Sequence, residues 1–145
     1  MNVGDVLAQK GSNVQTVQPN ETIGYLSRRL QQERIGVMVV SHDGKSIDGI
    51  ISERDIAYAL AERRGELHLL SVSALMTRKV ITCEPAETLS SAAALMNRHR
   101  IRHLPVVQDG VLVGIISIRD VLEQRVGEVE RKAGLVGKLV ARNYE

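Results

Sequence analysis

Apolar positions along the chain fall into two series that closely resemble each other. The segment V-Q-T-V-Q-P-N-E-T-I at 14–23 returns as V-I-T-C-E-P-A-E-T-L at 80–89, an offset of 66 residues. The segment G-I-I-S-E-R-D at 49–55 returns as G-I-I-S-I-R-D at 114–120, an offset of 65 residues. Recurrence at a nearly constant spacing is typical of an internal repeat. The pattern therefore predicts two copies of one structural unit.

Each copy predicts the element order β-α-β-β-α. Thr22 and Thr88 suit the N-cap of a helix, and the apolar residues after them recur at helical spacing. Valine-rich runs then predict strands, and the Asp-Gly pairs at 43–44 and 109–110 predict hairpin turns. In the first copy we expect an extended piece at 14–17, a helix from Ile23, strands at 37–40 and 47–51, and a helix at 53–64. In the second copy these elements fall at 80–83, from Leu89, at 104–107, at 111–116 and at 118–126.

One copy alone has too few elements to cover both faces of its sheet, so we expect the two copies to pack on each other. The fold class is therefore α/β (α+β), with two pseudo-symmetric repeats in one compact module. We place repeat 1 at 1–70, repeat 2 at 71–126 and a C-terminal helical tail at 127–145, with a short helical turn near 72–76. Packing of two similar copies also predicts two clefts at their interface, one for each copy.

The tail has the apolar spacing of a helix, and its apolar side consists of Leu135, Val136, Leu139 and Val140. Three glycines in the tail count against one straight helix, because glycine weakens a helix interior. The tail is either a capping helix or a dimer contact, and both interpretations stay open.

Composition narrows the function classes. The chain has no Trp, no Phe and a net charge of only +2, which weakens nucleic-acid binding because that function usually needs stacking aromatics. Cys83 is the only cysteine, so no internal disulfide can form and a reducing compartment fits. The segment Met1 to Lys10 lacks the apolar run of a signal peptide, and no stretch is long and apolar enough for a membrane span. We therefore expect a cytoplasmic protein.

The repeated Ser-x-x-Asp pairs are the main candidate for binding chemistry. Ser52 with Asp55, and Ser117 with Asp120, fit a capping box, which is the ordinary structural interpretation. Each pair also directly follows a buried strand and encloses an arginine, Arg54 or Arg119. A helix N-terminus at such a place attracts anions. A carboxylate there could accept the hydroxyls of a ribose, while the serine and arginine bind phosphate, and the aliphatic strands could hold a purine.

A basic cluster at 98–103 precedes the central strand of the second copy. Its ordinary interpretation is a solvated helix end, where cations complement the helix dipole. The functional alternative is that Arg102 or His103 binds phosphate in the cleft. The first copy has Gly36 and Val37 at those places, so we expect two unequal clefts. Lys10 is a further candidate for phosphate contact, although a lone lysine is usually solvated.

Catalytic and metal-binding patterns are weak. The chain lacks the common hydrolase, P-loop and zinc-protease motifs, and we expect Cys83 to be a small buried hydrophobe. A zinc site at His99 and His103 would need one continuous helix, which Pro105 argues against. We therefore expect neither an enzyme nor a metal site.

Together the motifs resemble a tandem pair of cystathionine β-synthase (CBS) domains, also called a Bateman module, over residues 1–126. The matching pieces are V-x-T-V-x-P-x-x-T-I/L, I-R-H-L-P-V-V, D-G and G-I-I-S-x-R-D, in the order seen in that family. The resemblance implies a regulatory module, with no attached output domain and no catalytic cofactor, that binds AMP, ADP, ATP, NAD(H) or S-adenosylmethionine and often dimerises.

The resemblance also implies roles for individual residues. The ribose-binding acid matches Asp55 and Asp120, and the phosphate-side hydroxyl matches Ser52 and Ser117. The contacts to the base match Thr16, Thr82, Met38 and Pro105. The first copy departs from the family pattern at Val39, which replaces the usual proline.

We therefore expect a non-catalytic sensor that binds an adenine nucleotide between its two repeats, most tightly in the second cleft. We also expect it to form a homodimer and to act on a downstream protein whose identity the sequence does not give. Three alternatives remain. The chain could be a structural or interaction module with empty clefts, an enzyme acting on nucleotides, or a nucleic-acid binder that uses the cluster at 98–103.

Overall fold

A computed structural model of the chain describes residues 1–63 and 65–144. In the first copy its elements are α1 (Val3–Lys10), β1 (Thr16–Val17), α2 (Ile23–Glu33), β2 (Val37–Val40), β3 (Gly49–Ser52) and α3 (Glu53–Glu62). A 3-10 turn (Leu67–Leu69) then leads into α4 (Val72–Leu75), α5 (Leu89–His99), β4 (His103–Gln108), β5 (Val111–Ser117) and α6 (Ile118–Tyr144). The mixed α+β class and the two copies are confirmed. The expected end of α3 at Arg64 lies outside the described residues.

The two copies form separate small sheets. In the first, β1 pairs in parallel with β2, and β2 pairs antiparallel with β3. In the second, β4 pairs antiparallel with β5, and the strand expected at 80–83 is reduced to one parallel bridge between Cys83 and Val106. A backbone hydrogen bond of 2.8 Å from Leu112 N to Lys45 O links the two copies.

The two hairpins differ although both carry Asp-Gly. In the second copy Asp109 and Gly110 both have positive φ, 52° and 77°, as a tight two-residue turn requires. In the first copy Asp43 and Gly44 also lie in the connection of a hairpin, as predicted, but that connection is an eight-residue loop, 41–48, rather than a tight turn. Asp43 Oδ1 accepts hydrogen bonds from Lys45 N and Ser46 N there. The side chain of Asp43 thus organises an eight-residue loop at the place where the second copy has a two-residue turn.

The helices α2 and α5 begin and end in the same way. Thr22 Oγ1 accepts from Tyr25 N at 3.1 Å, and Thr88 Oγ1 accepts from Ser91 N at 3.0 Å. The two N-caps predicted from sequence are therefore confirmed. Each helix buries one apolar face against its sheet, and those faces are Ile23, Leu26 and Leu30 in α2 and Leu89, Ala92 and Met96 in α5.

The two hydrophobic cores exchange their first helices. Helix α1 begins the chain, but Val3, Val6 and Leu7 pack in the core of the second copy. Helix α4 follows the first copy, and Val72 packs in the core of that copy. Equivalent backbone bonds hold both helices, Val3 N to Glu87 O at 2.9 Å and Val72 N to Glu21 O at 2.8 Å. The boundary that we predicted between the repeats at residue 70 divides the sequence and not the packing. Helix α1 lies before this boundary but packs in the second core, and α4 lies after it but packs in the first core.

The C-terminal tail continues α6 without a break. The sequence separated a helix at 118–126 from the tail, whereas one helix runs from Ile118 to Tyr144. Each internal glycine costs only about 1 kcal/mol in a helix, which does not force a break. The side chains of Leu139 and Val140, and all of Glu145, lie outside the described part. Within the described residues no helix is both long and apolar enough to cross a membrane.

Candidate ligand site

Strand alternation sorts the predicted site residues onto two faces. In β4, Leu104 and Val106 face the core of the second copy, so His103 and Pro105 lie on the opposite face. His103 is paired across the strands with Ser117, which places their side chains next to each other. Thr82 precedes Cys83, the partner of Val106, and so lies beside Pro105. His103, Pro105, Ser117 and Thr82 therefore share one face of the second sheet, on which Pro105 is buried.

Met38 does not join the corresponding surface of the first copy. It is 1% exposed and packs in the first core. The residues on the same face as Ser52 are Val37, its cross-strand partner, and Val39. Met38 aligns with Leu104 rather than with Pro105, because a shift of one residue along a strand moves a side chain to the other face.

Ser117 and Asp120 form a reciprocal cap at the start of α6. Ser117 N donates to Asp120 Oδ2 at 2.8 Å, and Asp120 N donates to Ser117 Oγ at 3.2 Å. The structural interpretation of the Ser-x-x-Asp pattern is therefore satisfied. One carboxylate can accept several hydrogen bonds, so this cap leaves Asp120 able to bind another group.

Lys10 supplies that group from the end of α1. Its Nζ lies 2.8 Å from Asp120 Oδ2 and donates to the Ile115 carbonyl at 3.0 Å. Burial of Asp120 acts to raise its pKa, but the hydrogen bonds from Lys10 and Ser117 outweigh burial and hold the pKa below its usual range. The carboxylate is therefore ionised at neutral pH. A residue 110 positions away in sequence thus completes the surroundings of the repeated motif.

His103 shares this environment. Burial is the main cause that lowers its pKa, the charges of Lys10 and Arg102 lower it further, and Asp120 opposes them. His103 is therefore neutral at pH 7 in the free protein. The second copy thus brings together the Asp120 carboxylate, Lys10, the exposed Arg102 and the neutral His103. A bound anion would favour the protonated, positively charged form of His103.

The first cleft has the opposite electrostatic character. Ser52 N donates to Asp55 Oδ2 at 2.8 Å, which repeats the cap of the second copy. Among the described residues, however, no cation lies within ion-pair distance of Asp55. The Glu53 carboxylate lies so close to Gly36 that a Cβ there would be 2.6 Å from Glu53 Oε1. The position equivalent to Arg102 is thus beside an acid in the first copy.

Three other candidates lie apart from the Ser-Asp pairs. Arg54 is exposed, and Arg119 is 86% exposed and pairs with Glu123 at 3.5 Å. Thr16 lines a separate cavity of about 370 Å³ together with Arg29 and Ser41. The repeated arginines therefore face solvent rather than the carboxylates.

Sequence reasoning undervalued Lys10, although a signal for its position was present. The segment V-G-D-V-L-A-Q-K at 3–10 aligns with V-S-A-L-M-T-R-K at 72–79. This third repeated piece places the ends of α1 and of the α4 segment in equivalent surroundings, and it matches Lys10 with Lys79. Lys79 is exposed, and the ion pair is seen only in the second copy among the described residues.

Comparison with known proteins is consistent with this geometry. The family model described as "CBS domain" matches residues 3–62 and 72–127. The CBS domain-containing protein YhcV of Bacillus subtilis is 33% identical over 109 residues, which cover 75% of this chain and 76% of that protein. The family model covers most of the chain in two stretches, so the class is a pair of small repeats of that domain. The chain belongs to the CBS domain family.

Two similar solved structures contain adenosyl compounds. The CBS domain pair of protein MJ0100, in complex with 5′-methylthioadenosine and S-adenosyl-L-methionine, is 28% identical with a TM-score of 0.75, covering 86% of this chain and 98% of that one. The CBS domain protein PAE2072 from Pyrobaculum aerophilum, complexed with AMP, is 32% identical with a TM-score of 0.72, covering 83% and 89%. Family membership and these complexes support a regulatory, ligand-binding module.

Proposed function

We propose that this chain is a non-catalytic sensor that binds a phosphate-bearing adenosyl ligand, such as AMP, ATP or NAD(H), in the second cleft. The observation that carries the proposal is the cluster around Asp120, where Lys10, Arg102 and His103 come from two separated parts of the chain. Asp120 would accept hydrogen bonds from the ribose hydroxyls. The neighbouring cations would then bind phosphate, and the apolar face beside Pro105 would contact the base.

Lys10 would connect ligand binding at Asp120 to the rest of the molecule. In the free protein it is held by Asp120, so a ribose that engages Asp120 competes with this ion pair. The released ammonium group would be free to bind the ligand phosphate instead. Lys10 is the last residue of α1, and α1 packs in the core of the second copy. The exchange of partners by Lys10 would therefore change the forces on α1. A ligand can signal only through such a difference between two states.

The alternative of a structural module with empty clefts has one observation in its favour. The Ser117–Asp120 cap and the Lys10 ion pair satisfy one another without any ligand. This alternative predicts no binding, whereas the sensor predicts binding that depends on phosphate. The homodimer, the cytoplasmic location and the downstream protein stay predictions from the sequence.

Isothermal calorimetry with AMP, ATP, NADH and S-adenosylmethionine tests the proposal. We expect at least one of the three phosphate-bearing ligands, AMP, ATP or NADH, to bind with Kd below ~1 mM and more tightly than S-adenosylmethionine. Adenosine is the matched control for AMP, since it lacks only the phosphate, and we expect its Kd to be about tenfold higher or more because charge-assisted hydrogen bonds are lost. No binding of any of the four at millimolar concentration would contradict the sensor and favour the empty-cleft alternative.

A further inference from the structure

Helix α6 carries an apolar stripe that its own chain does not cover. Leu122, Val126, Val129 and Val136 are 57%, 55%, 66% and 58% exposed. Together with Ala133 they follow the spacing 4, 3, 4, 3, which is a heptad repeat of seam positions. With Leu122 at position d, the series is d-a-d-a-d. Isolated exposed apolar residues are common, but a continuous seam of this kind is typical of helix pairing.

The stripe lies on a part of α6 that extends away from the module. Val121 is buried and fixes the first turns against the second core, and Gln124 Nε2 donates to Gln9 Oε1 at 2.8 Å. Farther along the helix, a Cβ built on Gly127, Gly134 or Gly137 would meet no described atom within 4 Å. A glycine-containing helix with few tertiary contacts is marginal in water, so a partner helix would stabilise this segment.

The charges beside the stripe specify what that partner is. Glu123 and Glu130 occupy e positions, whereas Arg125 and Lys132 occupy g positions. In a parallel pair, a g residue faces the e residue five positions later on the other helix. Arg125 then faces Glu130 of the second copy, and the reverse contact forms by symmetry. In an antiparallel pair g faces g and e faces e, which brings like charges together.

From this seam and its flanking charges we infer that α6 pairs with α6 of a second copy as a parallel two-stranded coiled coil. The glycines fit this arrangement, because Gly127 and Gly134 both fall at position b, outside the seam. The inference does not depend on ligand binding, so its failure would leave the proposed function intact.

Sedimentation equilibrium of the full chain tests the seam. We expect a dimer with Kd below ~100 µM, and we expect Val129→Lys to raise that Kd at least about tenfold, because it places a charge in the seam. Leu135→Lys is the matched control, since Leu135 is 61% exposed but lies at position c. It should leave the dimer unchanged, and far-UV circular dichroism should show both variants folded. A monomeric or trimeric wild type, a dimer that survives Val129→Lys, or equal damage by both variants would overturn the inference.

A charge exchange tests the parallel orientation. Glu130→Arg should weaken the dimer, because it then faces Arg125 of the other copy, and adding Arg125→Glu should restore most of the affinity. Arg125 also donates to Ser90 Oγ at 3.2 Å, so Ser90→Ala serves as a control that should leave the dimer unchanged. An antiparallel pair would not bring residues 125 and 130 together, so adding Arg125→Glu would restore no affinity. A double variant no tighter than the single one, or a single variant that leaves the dimer unchanged, would overturn the parallel arrangement.

Discussion

At the scale of single residues, the same motif acquires different chemistry in the two copies. Asp55 and Asp120 cap equivalent helices through equivalent hydrogen bonds. Among the described residues, Asp120 but not Asp55 also receives an ammonium group, because Lys10 reaches Asp120 from α1. The sequence predicted both caps and an inequality between the clefts. It left Lys10 as a weak candidate, since a contact over 110 positions depends on how the helices are exchanged.

The titration of His103 tests this environment directly. We expect its pKa, measured by NMR, to lie below the ordinary value of about 6.5, since burial and the charges of Lys10 and Arg102 disfavour the imidazolium. Lys10→Met should raise the pKa toward the ordinary value, and bound AMP should raise it as well. His42 is the internal control, because its hydrogen bond to Asp48 raises its pKa. A His103 pKa above that of His42 would contradict the described cluster.

The sign of the pH dependence follows from the same shift. Between the lowered folded pKa of His103 and about 6.5, the unfolded chain binds more protons than the folded one. The contribution of His103 to stability is therefore present above about pH 6.5 and is lost as pH falls through that window. Asp120 also has a lowered pKa, so its contribution is lost only at more acidic pH, below the ordinary range of a carboxyl group.

At the scale of elements, the glycine of each G-I-I-S segment leaves room for the exchanged helical segment to pack closely against the strand. A Cβ at Gly49 would lie 2.7 Å from Met76 Sδ and 2.9 Å from the Thr77 carbonyl oxygen. A Cβ at Gly114 would lie 2.6 Å from Leu7 Cδ2. Met76 and Leu7 are equivalent residues of the third repeated piece, so both glycines allow the same close approach. The motif is thus a packing site as well as a helix start.

Replacing Gly49 with alanine should destabilise the fold by about 1–3 kcal/mol, the usual cost of overpacking. The Thr77 backbone cannot move away easily, since it is bonded to Ile50 in both directions. Gly127→Ala is the matched control and should stabilise the chain by about 0.5–1 kcal/mol, because nothing crowds that helical position. Urea unfolding followed by circular dichroism, at one protein concentration, gives both values. A neutral or stabilising Gly49→Ala would contradict the close packing.

Local patterns predicted most elements, and the exceptions have physical causes. The caps at Thr22 and Thr88 and the turn at Asp109-Gly110 depend on neighbouring residues, so the sequence suffices. The strand expected at 80–83 depends on a partner along its whole length and is reduced to the bridge at Cys83. The exchange of α1 and α4 is nonlocal, and no spacing within one copy predicts it.

At the scale of the whole molecule, the exchanged helices tie the two copies into one module. The first helix of the chain belongs to the second core and ends at the second cleft, while α4 belongs to the first core. Helix α6 carries Asp120 in its first turn and extends to the proposed dimer contact. Occupancy of one cleft would therefore act on both α1 and α6, the two elements that meet there. Duplication explains the shared framework, and the charges added to the second copy explain why we expect one cleft to bind more tightly.

The most direct test of the second cleft as the ligand site is calorimetric titration of AMP into Asp120→Ala and Asp55→Ala. Both carboxylates make the same capping bond to the backbone of a serine, so Asp55→Ala controls for loss of the cap, while Asp120→Ala also removes the ion pair with Lys10. We expect Asp120→Ala to weaken AMP binding by about 1.5–3 kcal/mol, the range for a hydrogen bond to a charged group. Asp55→Ala should leave the tighter binding step unchanged. Unchanged AMP affinity in Asp120→Ala, or a larger loss in Asp55→Ala, would contradict the assignment.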